Sequence, residues 1–86
     1  MKFVNVGFSN MIAAERIVAL LSPDSAPAKR LAAEAKDAGR AVDCTSGRRT
    51  RSVILTDAGY VVLSAIQTET VADRIESGSR GGDDAE

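Results

Sequence analysis

One segment carries both the start and the stop of a helix, and it splits the rest of the chain into short apolar runs. Ser22-Pro23-Asp24-Ser25-Ala26-Pro27 reads as a turn leading into a helix. Ser25 is the expected N-cap, and Pro27 falls in the first turn, where its missing N–H costs nothing. Gly39 is a good stop, so the helix should end at about Ala38. Between them Ala28, Leu31, Ala32, Ala35 and Ala38 form an apolar stripe, with Lys29, Arg30, Lys36 and Asp37 facing away. Small alanines let such a stripe approach a sheet or another helix closely. At 86 residues there is room for one domain. A chain this short buries only about 60–65% of its unfolded surface, so self-association is a natural way to add stability.

The flanking runs read as strands. Phe3, Val4 and Val6 predict a first strand ending at Gly7-Phe8-Ser9-Asn10, whereas the stretch 11–15 fits neither a helix nor a strand well. Ile17–Leu21 is apolar without alternation, so both of its faces call for burial, one of them against another subunit. After Gly39 come strand-like segments at 41–45, 52–56 and 60–66. The arginine-rich stretch joins the first two and Asp57-Ala58-Gly59 the second pair, which together predict an antiparallel meander. Thr70 with Asp73 resembles a capping box for a short last helix with Val71, Ala72 and Ile75 inward. The fold class expected is α+β: a small, mostly antiparallel sheet, one main helix and a short C-terminal helix. Residues 1–76 form the domain, and 77–86, rich in Ser, Gly and acid, form a disordered acidic tail.

Charge is unevenly placed. The total is 11 basic against 12 acidic residues, but Glu76, Asp83, Asp84 and Glu86 face only Arg80 in the last stretch, leaving the body net positive. The chain has no histidine and one cysteine, which removes the common zinc sites and the histidine-based triads. Cys44 reads as a small core residue, and Asp43 and Asp57 as solvated carboxylates. No cofactor, metal, small-molecule substrate or membrane partner is expected, and a cytoplasmic protein is the default. Phe3, Phe8 and Tyr60, the only aromatics, sit in or beside apolar strands and read as core residues. That disfavours single-strand recognition by base stacking.

Duplex DNA contacted through its phosphates fits better. Ser46-Gly47-Arg48-Arg49-Thr50-Arg51 places three arginines within four positions beside a glycine that can take φ > 0, the composition of a phosphate-contacting hairpin tip. Arg16 opens the apolar run at Ile17, a position that suits either snorkelling or a ligand contact. Lys29 and Arg30 run against the helix dipole, which suits a partner contact or a subunit-interface salt bridge.

Five motifs, in order, resemble the RemA-like family of bacterial extracellular-matrix regulatory proteins over about residues 2–75. They are Val4-Asn5-Val6-Gly7-Phe8-Ser9-Asn10, the lone Arg16, Leu21-Ser22-Pro23-Asp24-Ser25-Ala26-Pro27-Ala28-Lys29-Arg30, Gly47-Arg48-Arg49-Thr50-Arg51, and Leu63-Ser64-Ala65-Ile66-Gln67-Thr68-Glu69-Thr70-Val71-Ala72. The resemblance implies a LytTR-like DNA-binding unit that assembles into a closed homo-oligomeric ring. It also implies activation of biofilm-matrix genes at the bacterial nucleoid. The family's DNA-contacting arginines fall on Arg16, Arg48 and Arg49, and Arg51 completes the motif. Ser46, Cys44 and Thr68 depart from the family's usual aromatic, small residue and proline. The competing reading is a non-enzymatic adaptor oligomer whose arginines pair with acidic protein surfaces.

Overall fold

A computed structural model describes residues 2–77. Its strands and helices are β1 (Phe3–Asn5), β2 (Met11–Ala13), β3 (Ile17–Leu21), α1 (Ala26–Ala38), β4 (Ala41–Asp43), β5 (Ser52–Thr56), β6 (Val61–Ser64) and α2 (Thr68–Ser77), with a single 3₁₀ turn at Ala14–Arg16.

The α1 helix is bounded as its sequence dictates. Ser25 Oγ accepts the Ala28 N–H at 3.3 Å. At the other end Gly39 takes φ 72°, its N–H donates to Lys36 O, and the Arg40 N–H reaches back to Ala35 O at 2.7 Å. These paired bonds form a Schellman motif, which satisfies carbonyls that the last turn leaves without partners. Ala28 and Ala35 are buried, Leu31 and Ala32 half-buried, and Ala38, at the end of the stripe, is exposed.

The expected meander is corrected by the sheet. Its order is β3-β5-β6-β4, and β4 runs parallel to β6 instead of pairing with β5. Only β5 and β6 form the expected hairpin, through Asp57-Ala58-Gly59. The loop 44–51 is therefore no hairpin tip. It arches over the C-terminal end of β6, where the Cys44 N–H bonds Leu63 O and the Arg51 N–H bonds Ser64 O. Bridging one intervening strand means crossing two strand spacings, about 10 Å, which eight residues do easily.

The central strands are apolar on both faces because both faces are covered. From β5 and β6, Val53, Val61 and Leu63 pack with Ala28 and Ala35 of α1. Ile54 and Val62 point the other way, into a second cluster with Val4, Val6, Cys44 and Val71. The antiparallel β1–β2 pair and α2 thus close the sheet face opposite α1, and the stretch 11–15 resolves into β2 and the 3₁₀ turn. In β3 a register break between Ile17 and Ala19 turns Val18 outward, 61% exposed, so that position is not buried in the protomer.

The α2 helix begins at Thr68, two residues before the expected capping box, so Thr70 lies inside the first turn. Val71 is buried and Ala72 and Ile75 half-buried, as the stripe implied. Arg74 is also buried and donates from Nη1 to Asn5 O at 2.9 Å, tying α2 to β1. Of the expected tail, Ser77 closes α2, with its Oγ donating to Asp73 O, and residues 78–86 lie outside the described residues.

Candidate nucleic-acid interface

Two tight turns and the end of one strand build the arginine cluster. In the first turn Ser46 and Gly47 both take positive φ, 53° and 79°, and the Arg48 N–H donates to Thr45 O at 3.0 Å. Two consecutive positive φ angles are the signature of a type I′ turn, which glycine supplies at no steric cost. Asp43 anchors it: Oδ1 accepts the Thr45 N–H at 2.9 Å and the Thr45 hydroxyl at 2.6 Å. Those two bonds hold the Asp43 carboxyl below its usual range, with a smaller contribution from the charge of Lys36. Cys44 is buried beneath the turn, and burial, followed by the charge of Asp43, pushes its thiol pKa up. It is a packing residue with no thiolate character.

The second turn is Gly7-Phe8-Ser9-Asn10, where φ is 110°, 55° and 66° at the first three positions. The Asn10 N–H and its side-chain amide both donate to Gly7 O, and Asn5 Oδ1 accepts the Gly7 N–H at 2.7 Å. Ser64, at the end of β6, joins the parts. Its hydroxyl donates to Val6 O at 2.7 Å and accepts the Ile66 N–H at 3.0 Å, while its carbonyl accepts the Arg51 N–H.

Between these pieces opens a cleft of about 320 Å³ lined by Phe8, Arg48, Arg49, Arg51, Ala65 and Ile66. Half of its lining residues are arginines and none is acidic. Arg48, Arg49 and Arg51 join no ion pair among the described residues, and all three are exposed where they line the cleft. The guanidinium carbon of Arg48 lies 5.6 Å from the centroid of the Phe8 ring, within cation–π range. On the α1 side a second cleft of similar size is lined in part by Lys29, Lys36 and Thr50, the residue between Arg49 and Arg51.

Arg16 stands apart. Its Nε donates to both carboxylate oxygens of Asp57 at 2.9 Å, and the Asp57 N–H returns a bond to Arg16 O. The pair marks the opposite end of β5 from Arg51, about 20 Å along the strand. Within one protomer, then, three of the four expected site residues converge and Arg16 does not.

Sequence reasoning missed Phe8 and Asp57. All three aromatics read as core residues prove exposed: Phe8 at 42%, Phe3 at 52% and Tyr60 at 47%. For Phe8 the available signal was its position inside a Gly-Phe-Ser-Asn turn, where a side chain points away from the strand that precedes it. Asp57 follows β5 directly, and only the β3–β5 register brings it to Arg16.

The family model for RemA-like proteins, described as extracellular matrix regulatory protein A-like, matches residues 3–75. The chain belongs to the RemA-like family. Among its curated relatives, a Geobacillus thermodenitrificans protein named "Putative regulatory protein" is 55% identical over 75 residues, covering 87% of this chain and 86% of its own. A protein of the same name from Desulforamulus reducens is 55% identical over 76 residues, covering 88% and 84%. One from a Synechococcus strain is 52% identical over 80 residues, covering 93% and 90%. The RemA-like match spans both turns, the arginine cluster and Arg16, so the whole candidate interface lies inside it. These relatives are named as regulators, not enzymes. Among the described residues no helix is long and apolar enough to cross a membrane.

Proposed function

We propose that this protein is a transcriptional regulator that binds duplex DNA as a closed ring. The observation that carries the reading is the acid-free cleft in which Arg48, Arg49 and Arg51 converge without ion-pair partners of their own. Guanidinium forks match phosphate oxygens two at a time, and a duplex displays those oxygens in a regular row. Among the described residues the cleft lining holds no histidine, carboxylate, thiol or hydroxyl side chain, so binding is the chemistry it offers.

Ring assembly draws support from the sheet. Its two outer strands, β3 and β4, differ in sequence and pairing, and each carries an exposed valine, Val18 and Val42. Contact between two unlike edges is heterologous, and such contacts close into rings when the rotation allows. On a ring, Arg16 adds a second contact at the far end of each subunit, and several weak phosphate contacts combine through avidity. We take the unit to be of the LytTR type. The family's name ties it to the extracellular matrix, so activation of biofilm-matrix genes at the nucleoid is the role we assign.

The test compares the Arg48→Ala/Arg49→Ala double variant with wild type, both first sized by light scattering, in duplex titrations over a salt series. We expect weaker binding to every duplex sequence, and a salt slope reduced by about two for each engaged subunit. Unchanged affinity and slope would overturn the reading.

A further inference from the structure

Phe8 occupies a position that its own chemistry disfavours. A bulky residue at φ 55° is strained, and a turn that only had to reverse the chain would carry glycine or asparagine there. The surroundings nevertheless fix the turn from several sides: Asn5 and Asn10 bond across Gly7, Ser64 holds Val6, and Arg74 holds Asn5. Strain over-determined in this way concentrates where a side chain has work to do. Packing is not that work, because Phe8 belongs to neither apolar cluster and remains 42% exposed. What its ring faces is Arg48, the guanidinium 5.6 Å from the centroid on the rim of the cleft.

We infer that Phe8 is a positioning residue of the arginine cleft, its ring face holding the Arg48 guanidinium in the pose that meets a phosphate. The inference rests on the duplex-binding reading above. An arginine on an exposed loop has many rotamers to lose on binding, and a ring beneath its plane removes part of that loss beforehand. The negative face of the ring also attracts the cation while leaving its N–H donors pointing outward.

The experiment uses the full chain, with assembly checked by light scattering and duplex binding followed by fluorescence anisotropy over a salt series. Phe8→Leu keeps the bulk but loses the ring face, and should weaken binding by about two- to five-fold per engaged subunit. Its salt slope should move towards that of Arg48→Ala. Phe8→Trp offers a stronger face and should restore wild-type affinity. Phe8→Asn, suited to positive φ, should weaken binding as much as leucine does while its melting temperature stays at or above wild type. In an Arg48→Ala background, Phe8→Leu should add nothing.

Equal losses for tryptophan and leucine would overturn the inference, and so would a further loss in the Arg48→Ala background, which would mean direct contact with DNA. A lower melting temperature for Phe8→Asn would assign the residue to the fold instead. If Arg48→Ala weakens binding and Phe8→Leu does not, this inference alone fails. If Arg48→Ala changes nothing while Arg48→Ala/Arg49→Ala weakens binding, this inference falls and the duplex-binding reading stands; if the double variant changes nothing either, both fall.

Discussion

Replacing Ser64 by alanine removes one oxygen atom and, with it, two hydrogen bonds. The hydroxyl donates to the carbonyl of Val6, itself fully buried, and accepts the N–H of Ile66. Leaving a buried group without a partner costs about 1–3 kcal/mol, and losing the half-buried Ile66 bond about 1 kcal/mol, so the sum is about 2–4 kcal/mol. For a domain of this size that lowers the melting temperature by roughly 10–25 °C. Ser52 provides the control. It stands directly opposite Ser64 in the β5–β6 pair and is equally buried, yet its hydroxyl has no hydrogen-bond partner among the described residues. Ser52→Ala removes an unsatisfied group and should gain about 1 kcal/mol, because burying a hydroxyl without a bond is unfavourable. Thermal melts by circular dichroism, at one protomer concentration because association shifts the midpoint, should therefore move in opposite directions. If the two variants melted together, whether with or below the wild type, the hydrogen-bond reasoning would be refuted.

Asp57→Asn should leave stability within about 1 kcal/mol of wild type, because the Arg16–Asp57 pair is half exposed and solvent-screened. It should tighten low-salt duplex binding by releasing Arg16 and removing a negative charge; weaker binding by anisotropy would show that Asp57 holds Arg16 in its working pose. Asp43 should govern part of the acid sensitivity. Its folded carboxyl titrates below the usual value, so its stabilisation is complete above about pH 4, the unfolded value, and is lost as pH falls through the folded one. The melting-temperature gap between wild type and Asp43→Asn should therefore shrink as pH drops through that window, and a constant gap down to pH about 3 would contradict this.

What the sequence made legible was local. The bounds of α1 follow from Ser25, Pro27 and Gly39, which act within a turn of where they stand. The β5–β6 hairpin follows from its short Asp-Ala-Gly connection, and the small, apolar role of Cys44 from its neighbours. The insertion of β6 between β4 and β5 was not legible, because an eight-residue connection accommodates a wide hairpin and a crossing equally well. The arginines of the cleft were visible as a cluster, but their floor comes from Ala65 and Ile66, which reach it only through that insertion. Phe8 was hidden by its chemistry: an aromatic after an apolar strand belongs in a core unless the backbone turns left-handed beneath it. Arg74 was hidden for the same reason, since a buried guanidinium is recognised by the carbonyl waiting for it and not by its own position in a helix.

The placement of β6 also orders events in time. A chain synthesised as far as Thr56 already contains Arg16, Arg48, Arg49 and Arg51, but the strand over which the arginine loop must arch does not yet exist. Until residues 61–64 arrive and slot between β4 and β5, the loop has no strand end to rest on and Ser64 has joined nothing. Pairing across such sequence distances is among the slower steps of folding. The cleft therefore cannot exist before β6 does, and a chain that ends short of it, though it already carries the arginine charges, lacks the surface that gathers them.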